Sequence, residues 1–222
     1  MKNLLIFTLL IILATGCKNN NNGDSVASAE RPAIAREIAK ANGLDKFNDV
    51  EQINFTFNVK VQDSLRSQRS WQWKPETDEV TLTENNTSTT YKRDGELNED
   101  EKSADQKFIN DTYWLLFPYQ LVWSDADISK EENATAPISG EKMDKLTVSY
   151  TGDGGYTPGD TYDIYYDDDL ILREWVYKAA DGNREMATTW ENYEDFNGLK
   201  IAKNHKSPDG SFELFFDDIA VK

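Results

Sequence analysis

The run from Ile53 to Gln62 constrains this chain most. Ile53, Phe55, Phe57, Val59 and Val61 alternate with Asn54, Thr56, Asn58, Lys60 and Gln62. Successive side chains on a strand point to opposite faces, so a period of two predicts a strand with one buried and one wet face. Such a strand belongs in an antiparallel sheet. The pattern recurs down the chain. Trp71 and Trp73 share a side with Arg69, and Val80 and Leu82 alternate with threonines. Residues 87–92 lead to a turn at Asp94-Gly95; Leu146, Val148 and Tyr150 alternate before the glycine-rich loop 152–155; Tyr162, Ile164 and Tyr166 form a further strand. Segments 170–178 and 184–193 flank the hairpin turn Asp181-Gly182. Asn197-Gly198 is the strongest tight-turn signal, and segments 199–203 and 211–216 close the sheet. The count is about nine to eleven antiparallel strands.

Two stretches depart from this rhythm. In 32–42, Ile34, Ile38 and Ala41 fall on one helical face, Pro32 suits the first turn and Asn42-Gly43 is a stop signal. In 101–117, Ala104, Phe108, Thr112, Leu115 and Leu116 fit helical spacing, with Pro118 ending the segment. Its last residues, Tyr113-Trp114-Leu115-Leu116-Phe117-Pro118-Tyr119, form the most apolar patch outside the N-terminus, and such a stretch is expected to be buried or to cap an opening. The fold class is mainly β with two helices (α+β), and no repeat of solenoid period is present.

The N-terminus reads separately. Lys2 precedes an apolar run from Leu4 to Leu13 broken only by Thr8. About ten residues rise only about 15 Å as a helix, half of a hydrocarbon core, so residues 1–16 are expected to be a secretory signal rather than a membrane span. The run ends in Leu13-Ala14-Thr15-Gly16-Cys17. Small residues before a cysteine resemble the lipobox of bacterial lipoproteins. That likeness implies acylation of Cys17, the single cysteine of the 222 residues, and anchoring to a membrane by its acyl chains. Lys18 follows the cysteine, which by analogy with proteobacterial sorting favours the outer membrane. The expected place is the cell envelope, on the periplasmic face of that membrane. Residues 17–30, rich in asparagine and without an apolar cluster, form a lipidated tether. Residues 31–222 are the folded domain, about 190 residues and long enough to bury a core without disulfides.

The net charge is −16. A chain this acidic repels phosphate backbones, so nucleic acid is not an expected partner.

The ends of the domain carry a resemblance. Ala39-Lys40-Ala41-Asn42-Gly43-Leu44 leads into Val50-Glu51-Gln52-Ile53-Asn54-Phe55-Thr56-Phe57. Later, Leu172-Arg173-Glu174-Trp175 precedes Thr188-Thr189-Trp190-Glu191-Asn192-Tyr193, Asn197-Gly198-Leu199-Lys200-Ile201-Ala202 and 214–221. With the long meander and its mid-chain helix, these stretches resemble the LolA/LolB-like superfamily of lipoprotein carriers and receptors. The Tyr113–Tyr119 wording is similar to a group of lipoproteins from Bacteroidetes-type bacteria. The resemblance covers about a third of the domain. It implies a curled antiparallel sheet forming an incomplete barrel, an N-terminal helix, and a central helix that acts as a lid over an apolar cavity. Carriers of the superfamily use an arginine to hold the lid. Arg66 and Arg69 both stand near that region, and spacing does not choose between them.

Six Trp, ten Tyr and ten Phe supply the apolar area that acyl chains need, worth about 25 cal/mol per Å² buried. If the sheet encloses a cavity, its expected lining is Phe55, Phe57, Val59, Trp71, Trp73, Trp114, Leu116, Phe117, Tyr119, Trp175, Tyr177 and Trp190. The same residues fill a solid core equally well, since pattern does not report volume. Other chemistry is sparse. The acidic set Asp160, Asp163, Asp167, Asp168 and Asp169 reads as solvated loops as readily as calcium ligands. Asp125-Ala126-Asp127-Ile128-Ser129 begins like a calcium loop, but Lys130 stands where glycine is needed and Ala136 where the last glutamate belongs. His205, the only histidine, sits between Asn204 and Lys206 beside a turn and is expected to be exposed. With no nucleophile elbow, phosphate loop or metal-protease motif, neither a cofactor nor a catalytic set is expected. The expectation is a non-enzymatic lipoprotein binding an acyl chain, lipid or lipoprotein anchor between sheet and helices. The alternative is an interaction or scaffold subunit of an envelope complex, with a filled core and an exposed aromatic patch.

Overall fold

A computed structural model describes residues 32–151 and 158–222. The signal segment, Cys17, the tether and the 152–155 loop lie outside them. The chain starts with α1 (Ala33–Ala41) and the single turn α2 (Leu44–Phe47). Four strands follow: β1 (Ile53–Val61), β2 (Ser64–Lys74), β3 (Glu79–Glu84) and β4 (Thr87–Lys92). After α3 (Glu99–Leu115) and α4 (Phe117–Trp123) come β5 (Asp127–Thr135), β6 (Lys142–Ser149), β7 (Thr161–Tyr166), β8 (Leu172–Lys178) and β9 (Glu185–Thr189). The last three are β10 (Glu191–Phe196), β11 (Leu199–Lys206) and β12 (Phe212–Val221).

The strands form two antiparallel sheets. One runs β10-β11-β12-β1-β2-β3-β4 and the other β5-β6-β7-β8-β9. Both keep free edges, so the barrel is incomplete. A single residue, Trp190, separates β9 from β10 and marks the seam. Its N–H donates to the Arg173 carbonyl at 2.8 Å, and the Lys206 N–H donates to Thr189 Oγ1 at 3.1 Å, so the sheets adjoin there.

One core links the inner faces of both sheets with the helices. Phe55, Trp71, Val80 and Phe216 of the larger sheet and Leu146, Ile164 and Trp175 of the smaller one are buried with Ile38, Phe108 and Leu121. The helical register of α3 holds as read: Ala104, Phe108, Thr112, Leu115 and Leu116 are all buried. Its N-terminus is fixed by a capping box. The Asn98 side chain accepts from the Glu101 N–H at 3.0 Å, while Glu101 accepts from the Asn98 N–H at 2.8 Å. Pro118 does not end the helical region. It falls in the first turn of α4, where its missing N–H is harmless, and the break lies at Leu116.

Two glycine turns far apart in sequence meet. Gly43, at φ +104°, ends α1 and faces Gly198 of the β10–β11 turn; a Cβ on Gly43 would lie 2.1 Å from the Gly198 carbonyl oxygen. The Lys200 N–H donates to the Asn42 carbonyl at 3.0 Å across the same contact. Any side chain on Gly43 is therefore excluded by sterics as well as by backbone conformation.

Several expectations need correction. Twelve strands are present among the described residues, because segment 184–193 divides at Trp190 and because β5 carried no sequence signal. Only Ile128 and Ala134 of β5 are buried, so no apolar alternation shows. Its charges belong to an edge strand, with Lys130 3.0 Å from Asp144. The supposed calcium-loop start is thus the approach to a strand. The outer face of β1 is not uniformly wet either. Thr56 and Asn58 are buried in a polar layer, bonded to Asp218 at 3.1 Å and Asp217 at 3.2 Å. No helix among the described residues is long and apolar enough to cross a membrane.

Candidate functional site

The two inner faces and α3 leave space between them, a cavity of about 1270 Å³. This exceeds the roughly 300–1,000 Å³ of typical small-ligand sites. Phe57, Val59 and Trp73 reach it from β1 and β2; Thr112, Tyr113 and Trp114 from α3; Leu116 from the α3–α4 junction. Tyr162, Trp175, Tyr177 and Met186 come from the smaller sheet, and Phe47 and Trp123 from α2 and α4. Period two on the strands places alternate residues on this inner surface, and the helical repeat of α3 brings successive turns along it. Trp123, 42% exposed, stacks edge-on against Phe47 with centroids 4.7 Å apart and marks one opening.

Of the residues expected to line a cavity, Phe57, Val59, Trp73, Trp114, Leu116, Trp175 and Tyr177 do border this space. Phe55, Trp71, Phe117, Tyr119 and Trp190 are buried but lie away from that space, against neighbouring side chains. The physical reasons are specific. Trp71 Nε1 donates to Asp111 at 2.8 Å, Tyr119 Oη donates to the Asn42 carbonyl at 2.7 Å, and Trp190 packs edge-on against His205 at 4.4 Å. Phe55 meets Phe216 at 5.9 Å, and Phe117 meets Trp175 at 5.3 Å.

The helix over the cavity is held by a buried ion pair. Arg69 Nε and Nη2 donate to the two carboxylate oxygens of Asp111, on α3, at 2.7 and 2.6 Å. With Trp71 Nε1 already donating to it, Asn110 Nδ2 adds a fourth donor at 3.0 Å. Burial pushes the Asp111 carboxyl above its ordinary value, while Arg69, Asn110 and Trp71 pull it down. Arg66 is exposed, so of the two candidate arginines it is Arg69 that meets the helix. Arg93 makes a second tie across the β4–α3 connection, donating to Asp105 at 2.8 Å. Sequence reading had no way to find Asp111: an aspartate inside a helix is ordinary, and its partner lies on another element.

His205 is fully buried, contrary to expectation. Its β11 position turns inward, under Trp114 and Trp190 at 5.2 and 4.4 Å. Burial pushes the imidazole down to about 3 from 6.5, with the Thr189 backbone pulling the other way. The folded value lies below the unfolded one. Below about pH 6.5 the unfolded chain therefore binds a proton that the folded chain refuses, and stability is lost between there and about pH 3. This histidine alone is expected to remove about 2 kcal/mol between pH 7 and pH 5. Urea unfolding at both pH values should show a smaller acid loss for His205→Phe. The lone imidazole resonance of the native protein should not titrate between pH 5 and 8.

Three of the five acidic residues are engaged within the protein, while Asp168 and Asp169 are exposed. Asp163 pairs with Lys178 at 2.6 Å and accepts from Thr147 at 2.5 Å; Asp167 pairs with Arg173 at 2.6 Å; Asp160 accepts from the Ala180 N–H at 3.0 Å. No group of three or more metal-ligating side chains is found among the described residues.

No family model matches the sequence, and no curated protein matches it. Solved structures do resemble it. A DUF1329 family protein from Desulfovibrio piger is similar with a TM-score of 0.51 at 9% identity, over 85% of this chain and 92% of that one. A LolA superfamily protein from Nitrosomonas europaea gives 0.48 at 10% identity, over 85% and 93%. A domain from Vibrio parahaemolyticus named for outer membrane lipoprotein sorting gives 0.47 at 12%, over 85% and 91%. The likeness to the Desulfovibrio piger protein shows a shared fold. Two open antiparallel sheets with a central helix agree with the incomplete barrel that the sequence resemblance implied.

Proposed function

We propose that this chain is an acylated envelope lipoprotein, tethered through Cys17 to the outer membrane, that binds the acyl part of a lipid or of a lipoprotein anchor. The observation that carries this reading is the cavity of about 1270 Å³ between the inner sheet faces and α3. Its aromatic walls suit hydrocarbon, which gains from leaving water and asks for few polar contacts. The scaffold alternative calls for a filled interior and an exposed aromatic patch. The exposed large apolar side chains among the described residues are Leu65 and Trp123.

In this reading α3 is the lid and the Arg69–Asp111 pair its catch. The segment from Trp114 to Tyr119, which is largely buried, shifts when a chain enters between α3 and β8. Activity as an enzyme forms no part of the proposal, and binding needs only a conformational step.

Mass spectrometry of the protein purified from membranes, intact and after organic extraction, tests both halves. The expected result is an N-terminal mass increment on Cys17 and co-purifying lipid, with saturable uptake of a fluorescent fatty acid by the stripped protein. Repeated recovery of lipid-free protein that takes up no fatty acid would overturn the binding half.

A further inference from the structure

The polar side chains on the cavity wall are not equivalent. Three arginines line it: Arg69, Arg93 and Arg184. Arg69 is neutralised by Asp111, and Arg93 lies 2.8 Å from Asp105 and 3.5 Å from Asp78. Arg184 makes no ion pair among the described residues. It lies just after the Asp181-Gly182 turn at the start of β9, exposed at the edge of the cavity. Its Nη2 donates to Tyr177 Oη at 3.0 Å, and its guanidinium carbon sits 5.0 Å from the Tyr177 ring centre. The tyrosine thus fixes one edge of the fork and leaves the remaining donors to other acceptors.

The wall behind it is aromatic. Tyr177 packs on Tyr162 at 5.4 Å, and Tyr162 on Trp175 at 5.2 Å and Tyr113 at 5.1 Å. Burial holds the Tyr113 hydroxyl well above its usual range, so it stays neutral. Asp160 is the carboxylate on this wall, and its Oδ1 is taken by the Ala180 N–H. A guanidinium held against Tyr177 at the edge of an aromatic wall supplies a local positive charge, within a chain of net charge −16, where an anionic head on an apolar tail can sit. Guanidinium matches carboxylate and phosphate geometry by two parallel hydrogen bonds.

We infer that the cavity selects amphiphiles with an anionic oxygen head, carboxylate or phosphate, held by Arg184, with the tail running past Tyr177 and Trp175 towards α3. The inference rests on the lipid-binding reading of the same cavity. Calorimetric titration of the native protein and of Arg184→Gln and Arg184→Lys with palmitate, hexadecyl phosphate, methyl palmitate and hexadecylamine tests it. Palmitate or hexadecyl phosphate should bind native protein about 10- to 100-fold more tightly than Arg184→Gln. Methyl palmitate should bind both equally, hexadecylamine should bind most weakly to native protein, and Arg184→Lys should fall between. Which acid wins tells a carboxylate head from a phosphate head. Equal affinity for palmitate and its methyl ester in both proteins overturns the head-group assignment while leaving lipid binding standing. Failure of all four amphiphiles to bind overturns both.

Discussion

Replacing Asp111 with alanine is expected to lower stability by about 3–5 kcal/mol, seen as a fall in the urea midpoint. The Asp111 side chain is fully buried and accepts hydrogen bonds from Arg69, Trp71 and Asn110. Its loss leaves the Arg69 guanidinium, mostly out of water, without a counter-charge, and the Trp71 indole N–H without an acceptor. An orphaned buried charge costs more than the intact pair gains, so the single truncation should hurt more than removing both partners. The Arg69→Met/Asp111→Leu double variant should therefore recover part of the loss, and a double-mutant cycle should give a coupling above about 1 kcal/mol. A loss under about 1 kcal/mol for Asp111→Ala would mean that α3 is held by its apolar face alone.

Trp114→Ala should also cost about 3–5 kcal/mol, for a different reason. Trp114 is the bulkiest residue that α3 places over the seam between the sheets, 4.3 Å from the Trp175 ring and 5.2 Å from His205. It also borders the cavity, so truncation enlarges an existing space that the neighbours do not close. His205 loses part of its cover at the same time. Its pKa should then move up towards the ordinary value, read from the lone imidazole resonance. Trp114→Phe should retain most of the stability and leave His205 neutral across the same pH range. An alanine variant as stable as the native protein would show that α3 rests on the sheets without this wedge.

Much of the architecture could be read from residue order. The alternation in β1, the helical spacing in α3 and the turn dipeptides at Asn42-Gly43 and Asn197-Gly198 each report a local rule, and local rules survive in sequence. β5 could not be read, because an edge strand with two buried residues has no apolar period. His205 was misplaced because its polar neighbours Asn204 and Lys206 describe the opposite face of the strand. The cavity was half legible. Period two identified which side chains face inward, but whether a given ring borders space or fills it depends on what α3 brings opposite. Phe57 and Phe55 share a face of β1, yet only Phe57 reaches the open volume. That two glycine turns touch, and that Arg69 finds Asp111, are facts of tertiary packing with no local signature.

The interior place of β12 carries a consequence for how such a chain acquires its shape. It lies between β11 and β1, so that residue 53 is paired with residue 221. Bringing such remote segments together incurs a loop-closure penalty before any reward, which slows the search. A polypeptide threaded outward from its amino end would thus hold β1 to β4 as an unfinished half until the carboxyl-terminal strand emerged. During that interval the bare flank of β1 would be open to wrong neighbours, which makes a chaperone-like guard during synthesis more valuable here than for a sheet assembled hairpin by hairpin.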